Sequence, residues 1–191
     1  TVQVGSLPAR SWLSLSATAA SATELGLPLV DIRAEDLQLE VNMGSDGSVV
    51  DYSTPLIIAT GGTLADGVTA EVKTLDYKGA QGTLVRASGY IEVEVDGFFS
   101  VAGNLGFEKS TRDLVLEDGS TVSHDVMTVG GSNLQAFAGI NGGSSDPTGL
   151  QLTGVNFAVA IQTEKTPAQG QTAREWTAVK ASAMGANFVG V

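Results

Sequence analysis

Apolar and polar residues alternate with period two along most of this chain. In Tyr90-Ile-Glu-Val-Glu-Val95 the residues Ile91, Val93 and Val95 fall on one face and Glu92 and Glu94 on the other, the pattern of a strand with one dry and one wet side. Asp96-Gly97 follows, and an Asp-Gly pair accepts the positive φ values of a two-residue hairpin turn. Residues 98–107 are therefore predicted to return antiparallel. A second hairpin is predicted from 113–117 through Asp118-Gly119 to 120–124, and the same dipeptide recurs at Asp46-Gly47 and Asp66-Gly67. Further strands are predicted at about 11–18, 29–41, 49–59, 68–76, 83–95, 126–139, 150–162 and 175–190, from alternation and β-branched content. The segments 141–149 and 164–173 are rich in turn formers and read as loops, the second long enough to be protease-sensitive.

A looser motif opens several strands: a small residue, any residue, Asn or Asp, then an apolar residue. It occurs at Ala34-Glu-Asp36-Leu37, Ala102-Gly-Asn104-Leu105, Gly131-Ser-Asn133-Leu134, Gly154-Val-Asn156-Phe157 and Gly185-Ala-Asn187-Phe188. Asn and Asp tolerate backbone angles that other side chains resist, so the motif predicts a bulge or kink inside a continuing strand. The fold class is thus all-β, with long, bent, mainly antiparallel strands in a sandwich or flattened barrel. A β-solenoid with Asn at its corners is the alternative.

The end of the chain repeats its beginning. Arg10-Ser-Trp12-Leu-Ser-Leu-Ser-Ala17 is answered by Arg174-Glu-Trp176-Thr-Ala-Val-Lys-Ala181 at an offset of 164 residues, and the register holds through Ala19/Ala183, Ala22/Ala186 and Gly26/Gly190. Residues 1–27 then read as the tail of a preceding copy and 28–191 as one full module. The Ala-rich stretch 15–23 is accordingly read as strand, like its counterpart 179–187. Repeated modules supply length, spacing or multivalency more often than a unique active site. The start at Thr1 rather than Met, without a signal segment, fits excision from a longer chain.

Charge narrows the partners. The net charge is -11, from 21 acidic and 10 basic residues, and such a surface repels phosphate backbones, which argues against nucleic acid. No apolar run approaches the roughly 20 residues of a membrane-spanning helix. Cysteine is absent, which removes disulfides, thiolate zinc sites and thiol nucleophiles without fixing the compartment.

Candidate chemistry is sparse. Ser120, Ser123, His124 and Asp125 hold the letters of a nucleophilic triad, but adjacent strand residues point to opposite faces and cannot converge. A solvated polar hairpin is the expectation there. Glu92 and Glu94 share a face, as a glycosidase pair must, yet their alternation with Ile and Val already accounts for them. The acidity suits Ca2+, and Asp46 and Asp51, around Asn42-Met-Gly-Ser-Asp-Gly, and Asp146, after Asn141-Gly-Gly-Ser-Ser, are the candidate metal ligands. Neither segment matches an EF-hand. Trp12 and Trp176, with Arg10 and Arg174, form a candidate carbohydrate platform or, alternatively, tryptophans packed beneath their arginines at a junction.

Residues 87–109, Leu116-Glu-Asp-Gly-Ser120, Gly154-Val-Asn-Phe-Ala-Val-Ala-Ile161 and Arg174-Glu-Trp-Thr-Ala-Val-Lys-Ala181 resemble the long tandem repeats of very large bacterial secreted or surface proteins of the adhesin-like kind. The resemblance implies a non-enzymatic, extracellular or cell-surface module flanked by further copies, acting as a spacer for a distal binding domain and stabilised by Ca2+. A carbohydrate-binding β-sandwich, with surface glycans as partners, is the rival.

Overall fold

The computed structural model of the chain describes residues 9–23, 29–59 and 72–191. Among these the structure is all-β, as the alternation predicts. The strands are β1 (Trp12–Thr23), β2 (Val30–Gly44), β3 (Leu56–Ala59), β4 (Val72–Leu75), β5 (Leu84–Val95), β6 (Phe99–Val115), β7 (Thr121–Ile140), β8 (Thr148–Glu164), β9 (Glu175–Ser182) and β10 (Gly185–Val189). Six of them run to 12 residues or more, β7 to 20, well beyond the usual strand of about 5–6.

The long strands form one open antiparallel sheet in the order β1-β2-β5-β6-β7-β8. β9 and β10 lie end to end along the far side of β8, against its residues 156–163 and 149–153. The sheet is not closed into a barrel, so β1 stands at one edge and β9/β10 at the other. All pairings are antiparallel, which is not the coil-on-coil stacking of the solenoid alternative.

Register sorts the sheet into two faces. One row reads Ala17, Leu39, Ala87, Phe107, Val129, Val159 and Val179 from edge to edge. The neighbouring row, on the opposite face, begins Ser16, Glu40, Arg86, Glu108 and Thr128. One face is thus apolar and the other polar. Among the described residues little covers the apolar side: Leu13, Leu39, Phe99, Ile140, Val179 and Phe188 are all exposed.

Among the described residues the cluster of buried side chains is small and sits at one end, where the two-stranded β3–β4 sheet meets the large one, while Val126, Leu134 and Phe137 are buried apart from it along β7. Leu75 and Tyr77 pack on Leu84, with Tyr52 alongside, and Asn42 is buried beneath them, donating to the Val50 carbonyl at 2.9 Å. Tyr77 donates its hydroxyl to the Leu15 carbonyl at 2.6 Å. Among the described residues the two-layered part is confined to this end.

At two of its five occurrences the small-x-Asn/Asp motif does what its chemistry suggests, whereas Asn104, Asn156 and Asn187 are not at positive φ and Gly103 and Gly154 take that angle instead. Asp36 and Asn133 adopt φ of 51° and 52°, and the ladder shifts register at Glu35/Gln38, Ala102/Asn104 and Gly131/Leu134. These irregularities line up across the strands as one transverse crease. At it β2, β7 and β8 change which alternate residues face the apolar side. Asn156 explains why an amide belongs there: its side-chain oxygen accepts from the Asn133 N–H at 3.0 Å, which the bulge takes out of the ladder.

Several expectations need correction. Asp96-Gly97 turns the chain between β5 and β6 with φ of 42° and 68° and a Phe98 N–H to Val95 carbonyl bond of 2.8 Å, but the ladder pairs Val95 with Phe99, so three residues and not two lie in the loop. Asp118-Gly119 likewise closes a three-residue loop, between the paired Leu116 and Ser120. Asp46-Gly47 turns the chain out of the sheet rather than into a neighbour, since β2 pairs with β5. Asp66-Gly67 lies outside the described residues. The predicted strand 49–59 forms only at 56–59: Asp51 folds back onto Ser53, and Pro55 offers no amide to a ladder. The hairpin pieces 98–107 and 113–117 are one continuous β6, and 120–124 and 126–139 one continuous β7.

Candidate functional site

Three features could carry function: the paired Arg-x-Trp stations at the sheet edges, a charged ladder on the polar face, and a trough on the apolar face. Both tryptophans belong to edge strands and both sit on the polar face. Trp12 opposes Gly44 in register, and a Cβ at Gly44 would lie 2.9 Å from the indole. Its Nε1 donates to Ser48 Oγ at 3.0 Å, and Arg10 reaches Asp46 at 3.2 Å. Trp176 opposes Gln162, lies edge-on to His124 with ring centres 4.8 Å apart, and carries the Arg174 guanidinium 5.4 Å from its own centre. Arg174 also holds Glu164 through two hydrogen bonds of 2.9 and 3.0 Å. At each edge, then, an arginine two residues before the tryptophan is paired with a carboxylate at the end of, or just beyond, the adjoining strand.

The ladder runs across the polar face from β2 to β6. Arg86 bridges Glu40 at 2.9 Å and Glu108 at 2.8 Å, and Glu108 also accepts from Ser110 and Arg112. Burial works against the charge on Glu108, but the hydrogen bonds from Arg86, Arg112 and Ser110 outweigh it, so its carboxyl sits below the ordinary range. The Arg174 hydrogen bonds likewise hold Glu164 below its ordinary value.

On the apolar face an open trough of ≈ 610 Å³ is lined by Ala17, Leu37, Leu39, Ile91, Leu105 and Phe107, among others. It spans five strands, and its wall is almost wholly hydrocarbon.

The carboxylates expected to gather around calcium have separate local uses. Asp46 accepts from the hydroxyl and amide of Ser48, which with Arg10 keep it below the ordinary carboxylate range. Asp51 accepts from the hydroxyl and amide of Ser53, at 2.6 and 2.9 Å, and from the backbone of Gly79. Asp146 enters its turn through its amide, which donates to Ser144 Oγ at 3.2 Å. Among the described residues no three acidic or histidine side chains are placed to share a metal ion.

His124 departs from expectation. It is fully buried rather than solvated, with Nδ1 2.8 Å from the Val122 carbonyl and Nε2 without a hydrogen-bond partner. Asp125 lies on the other face, accepting from Thr111 at 2.9 Å, so the triad letters do not meet. Glu92 pairs with Arg33 at 3.7 Å on the polar face. Sequence reasoning missed Glu164 and Glu108. For Glu164 the available signal was the arginine two residues before Trp176, which calls for an acid across the strand; Glu108, paired with Arg86 and Arg112, had no such signal.

Comparison with family models, with curated proteins and with solved structures finds no match to this chain.

Proposed function

We propose that this chain is a structural, non-enzymatic module of a tandem array in a large extracellular adhesin-like bacterial protein, where it spaces a distal binding domain from the cell. The observation that carries the reading is the placement of the two Arg-x-Trp strands. They match in sequence at an offset of 164 residues, occupy the two opposite edges of one sheet, and share its polar face. A duplicated strand found once at each edge is what a period of a longer structure leaves when cut out of it. Residues 28–191 make one period, and residues 1–27 belong to the copy before.

The test is the protein on either side. Further copies at the same spacing, with fragments whose contour length by electron microscopy grows by a constant step per copy, support the array. A catalytic neighbour with no second copy sinks it. Calcium is no foundation of this reading; a melting midpoint that falls on adding EDTA would add it as a stiffener of the turns at Asp46, Asp51 and Asp146.

A second reading is favoured by the trough: an open, hydrocarbon-lined groove suits a carrier of acyl chains or similar apolar molecules. Saturable binding of a fluorescent fatty acid supports it, and glycan-array binding that depends on Trp12 supports the carbohydrate alternative instead.

A further inference from the structure

We propose that successive copies of this chain join edge to edge into one continuous antiparallel sheet, the β9/β10 strand of each copy serving as the β1 strand of the next. The inference rests on the repeat reading above and says how the copies meet. A long strand edge left open is a template for another strand, and here both edges carry the same sequence.

Four independent features agree. Face comes first: Ala17 and its counterpart Ala181 both lie on the apolar side, opposite Leu39 and Phe157, while Trp12 and Trp176 both lie on the polar side. Hydrogen-bonding direction is second. Ser11 turns its carbonyl toward β2, accepting from the Ser45 N–H at 2.9 Å, whereas Arg174, the counterpart of residue 10, turns its carbonyl toward β8, accepting from the Glu164 N–H at 2.9 Å. Odd residues of β1 therefore face β2, and even residues of β9 face β8. Since the offset is even, the two sets are complementary, and one strand can serve both neighbours at once.

Position of the break is third. β9 and β10 are separated at Ala183-Met184, and the equivalent Ala20 is the residue that the β1–β2 ladder skips opposite the Asp36 bulge. The crease thus crosses the junction without offset. Fourth is charge: shifted by one period, the β1–β2 register sets Glu40 of the next copy opposite Lys180 and its Asp46 opposite Arg174. Arg174 would then stand between Glu164 of its own copy and an Asp46, as Arg10 already stands beside Asp46. An interface of this head-to-tail kind propagates from copy to copy, into a rod wherever its rotation does not close a ring.

The chain has no cysteine of its own, so engineered thiols report the junction cleanly. In a two-copy chain, residues 1–191 followed directly by a second 28–191, Ser182→Cys in the first copy and Gln38→Cys in the second are expected to oxidise to a disulfide. Ser182→Cys with Glu40→Cys, displaced by two residues, is not. Thr18→Cys with Gln38→Cys in the 191-residue chain is the same pairing within one copy and shows that the geometry permits the bond. Closure of that control with no bond at the junction overturns the proposal, as does equal yield from the displaced pair.

A second measurement needs no thiols. Thr177→Pro removes an amide facing away from β8, so the 191-residue chain keeps its melting midpoint while the two-copy chain, changed in its first copy, melts lower. No change in the two-copy chain, or equal falls in both, overturns the proposal. Both tests stand apart from the array reading, which fails on flanking sequence alone even if two joined copies share a sheet.

Discussion

The imidazole of His124, on β7, lies 4.8 Å from the indole of Trp176, on β9, with the rings inclined at 65°. The contact spans β8, so it ties the edge strand to the sheet interior across an intervening strand. Arg174 adds a second tie by carrying the chain from its pair with Glu164 to the indole. Edge strands gain less from burial than central ones, and these contacts offset part of that deficit.

Trp176→Ala should therefore destabilise the chain by about 2 kcal/mol, less than a fully buried Trp→Ala because the residue is only partly buried. Trp176→Phe keeps an aromatic edge against His124 and should recover more than half of the loss. Urea unfolding followed by far-ultraviolet circular dichroism measures both. Equal losses in the two variants would show that the ring contact contributes nothing.

Acid should weaken the fold through Glu108 and Glu164. Both carboxyls are held below their ordinary value of 4.5 in the native chain, so over the acid range the unfolded chain binds more protons than the folded one. The stability they supply is complete above the unfolded value and drains away as pH falls through the folded ones. Melting midpoints should be flat from about pH 6 to 5 and decline below about 4.5. Arg86→Met should lower stability at neutral pH by about 1 kcal/mol, the pair being partly solvated, and should reduce the decline. A slope unchanged in Arg86→Met would remove Glu108 from the account.

Much of this was legible in the sequence, for a definite reason. Where alternation is strict, as in Tyr90–Val95, face and strand follow directly, and Asp96-Gly97 names its own turn. The bulges were legible too, since Asp36 and Asn133 stand in a pattern that only unusual backbone angles explain. The strand through Glu108-Lys-Ser-Thr-Arg112 was not, because both faces are polar there and the pairing is decided by ions from β2 and β5. His124 was misjudged for a related reason: its cover comes from Trp176, 52 positions later, and no local pattern signals that. The uncovered apolar face was equally hidden, since alternation shows that a strand has a dry side without saying what dries it.

That face should bind dye in the native state. A trough of ≈ 610 Å³ lined by Leu37, Leu39, Leu105 and Phe107 is wide enough for the naphthalene ring of ANS, so fluorescence should rise without denaturant and saturate. Leu39→Glu places a charge in the trough and should reduce the rise several-fold while the far-ultraviolet spectrum holds. An equal rise in that variant would place the dye elsewhere.

The crease yields the sharpest contrast, because two neighbouring asparagines serve it differently. Asn133 supplies a backbone angle, φ 52°, which β-branched residues resist; Asn133→Val should cost about 2 kcal/mol, and Asn133→Gly close to nothing. Asn156 supplies an acceptor for the Asn133 N–H at 3.0 Å and donates to the Gly154 carbonyl at 2.9 Å. There Gly is no remedy: Asn156→Gly and Asn156→Ala should each lose about 1 kcal/mol, since neither returns the hydrogen bonds. Denaturant unfolding of the four variants separates the roles. If Gly rescues both positions, conformation alone makes the crease; if it rescues neither, side-chain bonding does.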